Sequence, residues 1–255
     1  MDTLFPLLSP SALIIAAMIA VLAGFVKGVV GFAMPLVFVS GLTTFMSAEL
    51  ALAGLILPTV ITNGQQAMRQ GLPAAIKSTL EFKVFLAVGC VALLCSAQLV
   101  RVFPDHVMMA VIGVPVTFFA AMQLAGVQLS LRKRSAAVEV VAGGIAGGLG
   151  GISGIWGPPT VAYLTALNTP KQDQMRVQGV IYGLGAVALL VAHVASGVVR
   201  AETIAFSVAM IPPAFIGVQI GMSVMDRIDQ QTFRRATLFV LLIAGLNLVR
   251  RALMG

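Results

Sequence analysis

Two apolar stretches of the sequence contain too much glycine and proline to form continuous helices. The longer one, residues 143–159, reads GGIAGGLGGISGIWGPP, and the shorter one, residues 24–35, reads GFVKGVVGFAMP. Inside a helix, a glycine costs about 1 kcal/mol and a proline about 3 kcal/mol relative to alanine. Both stretches are therefore expected to interrupt a helix. When 123 is added to the numbers of the shorter stretch, four positions match: Gly24 with Gly147, Gly28 with Gly151, Gly31 with Gly154, and Pro35 with Pro158.

The composition places both stretches in a membrane protein. Of the 255 residues, 59% are hydrophobic and 10% are charged, whereas about 25% of a soluble domain is charged. Apolar runs of roughly 20 residues recur, and such runs suit helices that cross a ~30 Å hydrocarbon core. The net charge of +7 lies mainly in short connections, which is typical of membrane topology and gives no reason to expect a nucleic acid partner. The sequence therefore predicts an all-α polytopic membrane protein.

We expect a single membrane domain, residues 1–255, made of two inverted repeats of about 124 residues, at about 11–129 and 138–251. Each repeat is predicted to contain one broken helical hairpin and three transmembrane helices, which gives 8–10 membrane segments in all. Whether each hairpin is re-entrant or two short spans is open. The predicted hairpin arms are residues 11–31 with 35–46 and residues 138–156 with 160–167; the predicted helices are residues 48–68, 82–100, 106–129, 175–194, 204–224 and 236–249.

The basic residues favour the inverted arrangement. If each hairpin returns to its own side of the membrane, eleven Lys and Arg residues fall on one side and four on the other; if each hairpin is a single crossing, the split is nine to six. The first split follows the positive-inside rule better. It places the N-terminus in the periplasm and the Arg132–Arg134 loop in the cytoplasm of a bacterial inner membrane. The N-terminus has no positive region, so the first apolar run is expected to be retained.

The interruptions suggest a binding site. Backbone polar groups cannot stay unpaired in lipid, so a broken helix must be buried in protein or line a cavity. Two such breaks at corresponding positions are typical of a transporter site near mid-membrane, and half-helix N-termini suit an anion. Close helix packing is the alternative. It is favoured for Gly143, Gly144, Gly147 and Gly148, whereas a site-forming break is favoured for Gly151, Ser153, Gly154, Gly157, Pro158 and Pro159.

Polar residues within apolar segments complete the candidate site. Lys27 either faces an anion or extends to the membrane interface. Asn63, Gln65, Gln66, Gln178 and Tyr182 either line a pocket or join helices by hydrogen bonds. Trp156 either walls the pocket or anchors at an interface. The candidate substrate-binding residues are Lys27, Gly28, Gly31, Phe32, Pro35, Asn63, Gln65, Gly151, Ser153, Gly154, Trp156, Gly157, Pro158, Gln178 and Tyr182.

Several chemistries are disfavoured by what the sequence lacks. All nine acidic residues lie near segment ends, which disfavours a cation substrate. Proton coupling stays open through His193, Lys27 or the substrate itself. We expect no enzyme activity, metal or cofactor, because neither a catalytic set nor metal-ligand spacing is present. Cys90 and Cys95 are predicted to be packed thiols. The oligomeric state is open, with a homodimer as one alternative.

The paired motifs resemble the sulfite exporter TauE/SafE family, also called the toluenesulfonate uptake permease family. The matching residues are 26–37 (VKGVVGFAMPLV) and 151–159 (GISGIWGPP), with Tyr163, Leu164, Lys171 and Arg176 after the second motif. Ala33 stands where many members are expected to have glycine. The resemblance implies export or uptake of sulfite and organosulfonates such as sulfoacetate. The leading hypothesis is a secondary exporter of such anions; the alternatives are a permease for another small organic anion or a metal ion, and a non-transporting assembly subunit.

Overall fold

The computed structural model describes residues 9–97, 105–127, 130–131, 134–153, 156–195 and 201–254. These residues form eleven α-helices and no strand, so the predicted all-α class is confirmed for the described part of the chain. The helices are α1 (Pro10–Val30), α2 (Met34–Leu42), α3 (Ala48–Met68), α4 (Leu72–Glu81), α5 (Lys83–Ala97), α6 (Asp105–Leu124), α7 (Ala136–Ser153), α8 (Gly157–Ala166), α9 (Lys171–Ala195), α10 (Ala201–Arg227) and α11 (Gln230–Met254).

The predicted bounds of α3 are confirmed, but the region after α3 was predicted wrongly. The sequence analysis begins a helix at residue 82, whereas α4 already starts at Leu72 and is followed by α5, at an angle of 70°. Pro73 was interpreted as the end of the preceding helix. Proline is equally suited to the first turn of a new one, where its missing N–H has no helical partner to lose.

The helix order repeats along the chain. An offset of 123 maps residue 34, the start of α2, to residue 157, the start of α8, and maps residue 48, the start of α3, to residue 171, the start of α9. The pair α4–α5 then corresponds in order to α10, and α6 corresponds to α11. Two helix starts therefore recur at the offset found in the sequence, while the two repeats and their inverted relation stay predictions.

Within the described part of the chain, three helices are long and apolar enough to cross a membrane by themselves, and the bent pair α4–α5 qualifies as a fourth span if counted as one. The three are α1, residues 203–227 of α10, and α11. On α1, Ile14, Met18 and Leu22 lie one turn apart and are more than half exposed. An exposed apolar stripe of this kind on a long helix is what a lipid-facing surface requires.

The chain divides into two compact units, each of which takes helices from both sequence halves. Unit 1 contains Met1–Leu72 and Met175–Asp229, and unit 2 contains Pro73–Gln174 and Gln230–Gly255. Unit 1 is therefore built from α1, α2, α3, most of α9 and α10. Unit 2 is built from α4 to α8 and α11.

In unit 1, α1 and α10 pack with their backbones close together. A Cβ atom at Gly24 would overlap the carbonyl of Ala214, and one at Gly221 would overlap the carbonyl of Phe25. Such glycine contacts replace side-chain interdigitation where two membrane helices approach closely. Another side of α1 packs on α2, whose Met34, Phe38 and Leu42 are fully buried.

A proline inside α3 is compensated by α10. Pro58 has no N–H to donate to the carbonyl of Gly54, four residues earlier. The Ser207 hydroxyl on α10 donates to that carbonyl at 3.4 Å and accepts a hydrogen bond from the Leu57 N–H at 3.2 Å. Ser207 thus pairs the carbonyl group that Pro58 leaves without a donor, and this hydrogen bond joins α3 to α10.

In unit 2, α5 and α7 approach each other through glycines. A Cβ atom at Gly143 would lie 3.1 Å from the Cα of Phe85, and one at Gly147 would overlap the carbonyl of Gly89. The predicted packing role is confirmed for these two residues. For Gly148, which lies on a different face of α7, a Cβ would meet nothing within 4 Å among the described residues, so its packing role stays a prediction.

The N-terminus of α5 is capped from α7. Glu139 is 4% exposed and pairs with Arg134 at 2.8 Å, while its other carboxylate oxygen accepts the N–H of Phe85 at 3.3 Å. A carboxylate there satisfies a free N–H and faces the positive end of the helix dipole.

The prediction of packed thiols on α5 is wrong, because Cys90 and Cys95 are both exposed.

The two adjacent glycines of α7 allow a matched test of this packing. Gly147→Ala should lower the thermal unfolding midpoint of the detergent-solubilised protein by several degrees, because overpacking costs about 1–3 kcal/mol. Gly148→Ala should leave the midpoint unchanged or raise it slightly, because alanine favours helix. Equal midpoints for the two variants would contradict the α5–α7 packing.

Candidate anion site at the first helix break

Both predicted helix breaks are present. In unit 1, α1 ends at Val30 and α2 begins at Met34; in unit 2, α7 ends at Ser153 and α8 begins at Gly157. Gly31 and Ala33 have φ angles of +88° and +69°. The left-handed conformation is unstrained for glycine and unfavourable for alanine, which gives a physical reason to expect glycine at position 33.

Side chains from two other helices of unit 1 satisfy the carbonyl groups at the first break. Gln66 of α3 donates through Nε2 to the carbonyls of Gly31 at 3.1 Å and Met175 at 2.8 Å. Gln178 of α9 donates to the carbonyls of Val30 at 3.2 Å and Gly31 at 3.0 Å, in the amide orientation that gives both of its polar atoms a partner. The broken end of α1 is thus held by α3 and α9.

Lys27 lies one turn before the break, on the buried face of α1. Its side chain is 3% exposed, and Nζ donates a hydrogen bond to Oδ1 of Asn63 on α3, which is 1% exposed. Among the residues the structure describes, Lys27 makes no ion pair. The ammonium group is therefore buried beside a neutral amide, with no carboxylate to balance its charge.

Unit 1 also contains a cavity of about 490 Å³, which is lined from the end of α3 and from α10, and not by Lys27 or the residues of the break. Gln65 donates to Gln219 at 2.6 Å, and its own Oε1 is buried without a partner among the described residues. Arg69 and Asp226 form an ion pair at the cavity. The lining residues are Gln65, Met68, Arg69, Gln219, Met222, Ser223 and Asp226. Asn63, Gln65 and Gln66 are predicted on α3. Arg69 follows the last residue of α3, where basic residues are common, and Gln219 lies in the interior of α10; neither is among the predicted candidates.

The other candidate residues of unit 1 have different surroundings. The missing side chain of Gly28 makes room for α10, since a Cβ there would overlap the carbonyl of Val218. Phe32 is buried in the break itself, whereas Pro35, in the first turn of α2, is exposed. Tyr182 is buried one turn beyond Gln178 on α9. Lys27, Gly31, Asn63 and Gln178 are thus the candidates that the structure brings together.

The N–H of Gly31 is already used within unit 1, since it donates to the Lys27 carbonyl at 2.6 Å. At the start of α2, Pro35 has no N–H and the Val37 N–H donates to the Ala33 carbonyl at 3.0 Å. The N–H groups of Met34 and Leu36 are the ones there that helix geometry leaves without an intrahelical acceptor. Gly31 therefore shapes the break, and these two N–H groups are the main-chain donors that a ligand there could use.

The second break, in unit 2, is described on its α8 side. Trp156 is half-buried and its carbonyl accepts the Thr160 hydroxyl at 2.9 Å; Gly157 is half-buried and Pro158 is buried. The Tyr163 ring stacks on Phe85 with centroids 5.5 Å apart. Gly154 lies outside the described residues. Gly151 and Ser153 end α7, and their surroundings and the His193 side chain also lie outside the described part.

Comparison with known protein families decides the classification. The family model described as "Sulfite exporter TauE/SafE" matches residues 16–248, nearly the whole chain. The chain belongs to the TauE/SafE family. Comparisons with curated proteins and with solved structures gave no match. Membership in this transporter family, together with the apolar helices, identifies a multi-pass membrane protein.

The hydrogen bonds that Gln66 and Gln178 make at the first break predict a specific effect of substitution at Gly31. Gly31→Ala and Gly126→Ala both place alanine at a positive φ, of +88° and +93°, which costs about 1–2 kcal/mol. Only at Gly31 would the methyl group overlap Gln178 and lie 2.8 Å from the Met175 sulfur; Gly126 faces open space. Gly31→Ala should therefore lower the unfolding midpoint in detergent by clearly more than Gly126→Ala does. Equal shifts would mean that strain alone matters and that Gln178 does not hold the break.

Proposed function

We propose that this TauE/SafE protein is a secondary transporter that moves small sulfur-containing oxyanions, such as sulfite or an organosulfonate, out across the bacterial inner membrane. The family supplies the chemical class of the substrate. Fold and family leave the individual substrate open, so the assignment to this chain rests on its own residues.

The buried Lys27 carries the proposal. An ammonium group at membrane depth is costly unless it faces a partner or a water-filled cavity. Asn63 satisfies one of its three donors and contributes no negative charge. An oxyanion that binds beside Lys27 would supply the missing negative charge and accept the remaining hydrogen bonds of the ammonium group. Binding of an anion would therefore stabilise the buried charge.

Other groups at the break complete the proposed site. The first turn of α2 offers free N–H groups and the positive end of a helix dipole, which together suit an oxyanion. Asn63 carries amide N–H groups that could bond its oxygen atoms, whereas the amide N–H groups of Gln178 already hold the carbonyls of Val30 and Gly31. At the second break, in unit 2, Trp156, Gly157 and Pro158 stay proposed substrate-binding residues, because their sequence positions match those of the first break.

Transport by this proposal follows from alternating access of two inverted repeats. The N-terminus would be periplasmic, in line with the eleven-to-four split of basic residues. Protons are the proposed coupling ion where a pH gradient drives export. A homodimer is compatible with the proposal but is not required by it, since all residues around Lys27 come from unit 1 of one chain.

Two alternatives make different predictions. A permease for another small organic anion would use the same site with a different substrate, while a metal cation would be repelled by Lys27. A non-transporting assembly subunit would need no charge at position 27. The deciding experiment is flux into liposomes that contain the purified protein, with sulfite, sulfoacetate and taurine tested with and without a pH gradient. Absence of flux for all three would remove the sulfur assignment.

Substitution of Lys27 separates transport from a purely structural role. Lys27→Met should reduce sulfite flux roughly 30-fold or more, because loss of one partner of a buried charge pair costs about 2–5 kcal/mol. Lys77→Met is the matched control, since Lys77 is 73% exposed and its partner Glu81 is 3.9 Å away. The control should transport normally. Unchanged flux in Lys27→Met, with both variants inserted and folded, would contradict the proposal.

A further inference from the structure

A second cavity, of about 880 Å³, lies in unit 2 where α6 ends and α11 begins. All its lining residues belong to unit 2, whereas the residues around Lys27 belong to unit 1. The volume corresponds to roughly thirty water molecules, which is far more than a single small oxyanion needs. Its lining residues are Gln123, Leu124, Gly126, Thr165, Asn168, Thr169, Gln174, Gln230, Gln231, Thr232, Arg234, Arg235, Ala236, Leu238 and Phe239.

The lining of this cavity is positively charged. It includes Arg234 and Arg235, and none of the described residues that line it is acidic. Arg234 donates to the side-chain oxygens of Asn168 at 2.6 Å and Gln123 at 2.8 Å, which are neutral acceptors that orient the guanidinium without cancelling its charge. Arg235 is exposed. Two arginines without a carboxylate form an environment that favours an anionic group.

A buried hydroxyl group points to a ligand at the same cavity. Thr165 lines it and is 4% exposed, yet its Oγ1 has no hydrogen-bond partner among the described residues. A buried polar atom without a partner costs about 1–3 kcal/mol, and a bound group that accepts or donates there would remove this cost.

The cavity also has an apolar wall. Leu124 and Phe239 line it and are 37% and 57% exposed. Phe239 lies on α11, five residues after Arg234, so it sits about 7 Å further along the helix axis, in the direction of the apolar part of the span. A charged end next to an exposed aliphatic and aromatic surface matches a ligand with a charged head and an apolar tail.

We propose that this cavity binds the phosphate headgroup of an anionic phospholipid. Arg234 and Arg235 contact the phosphate oxygens, the Thr165 hydroxyl bonds the headgroup, and the acyl chains follow Leu124 and Phe239. Free phosphate shares the same head chemistry, but it would leave the apolar wall and most of the volume unused. The inference does not rest on the identity of the transported substrate.

The test measures lipid binding to the purified full-length protein by native mass spectrometry, with phosphatidylglycerol and phosphatidylcholine of identical acyl chains. Wild type should bind at least one phosphatidylglycerol in preference to phosphatidylcholine. Because a basic residue near a membrane surface contributes about 1 kcal/mol to binding an anionic lipid, Arg235→Gln should weaken this binding about fivefold, and Arg234→Gln/Arg235→Gln about thirtyfold.

The same helix provides the matched control. Arg250→Gln/Arg251→Gln removes two exposed arginines from the other end of α11 and should leave the preference for phosphatidylglycerol unchanged. Arg235→Gln alone guards against misfolding, because the exposed Arg235 can be replaced without breaking the bonds that Arg234 makes.

Three results would overturn the inference. The first is full retention of phosphatidylglycerol binding by Arg234→Gln/Arg235→Gln. The second is an equal loss in the control. The third is that millimolar inorganic phosphate displaces phosphatidylglycerol completely while the two lipids bind equally well, which would identify a site for free anions.

Discussion

The break at Gly31 depends on hydrogen bonds that come from outside the broken helix. A helix that stops inside an apolar environment leaves carbonyl groups that lipid cannot satisfy. Here Gln66 and Gln178 reach the carbonyls of Val30 and Gly31 from α3 and α9. Without these two amides the break would carry unpaired backbone groups, and a continuous α1 would be the more stable alternative. Unit 1 is therefore arranged so that a costly interruption can persist next to Lys27.

The two units treat their buried charges differently. In unit 2, Glu139 is paired with Arg134 and also accepts the N–H of Phe85, so its charge is compensated. In unit 1, Lys27 is buried to the same degree, and within the described part of the chain the amide of Asn63 is its one polar side-chain partner. A buried charge without an oppositely charged partner is strongly unfavourable, and a structural ion pair avoids this cost. The contrast between these two sites is the physical basis for assigning Lys27 to ligand binding.

Much of this arrangement could be predicted from the sequence because it follows from local chemistry. Glycine and proline positions gave both breaks and the packing role of Gly147, and hydrophobic runs with polar ends gave the bounds of α3. The α4 helix was missed because Pro73 is compatible with both the end and the start of a helix. The face of α7 that packs was only partly predictable. Gly147 and Gly148 have the same local sequence character, and they differ in that Gly147 faces α5.

The partners of the site could not be predicted, because they come from segments distant in sequence. Nothing near Gly31 identifies Gln178 as its neighbour, 147 positions later. Gln66 was noted as a polar residue but left out of the candidate set, although it lies one turn from Asn63 on the same face of α3. That spacing was the available signal. The positive φ of Ala33 likewise depends on how the start of α2 is positioned. An alanine in the sequence does not by itself indicate a left-handed conformation.

The central claim is that Lys27 holds an anion because no carboxylate among the described residues balances its charge. The most direct measurement is equilibrium binding of radiolabelled sulfite to the purified protein and its Asn63→Asp variant, which has nearly the same shape but places a carboxylate against Lys27. The account predicts saturable binding to the wild type and little or none to Asn63→Asp, with the unfolding midpoint of the variant maintained. Equal sulfite affinity for the two proteins would contradict it.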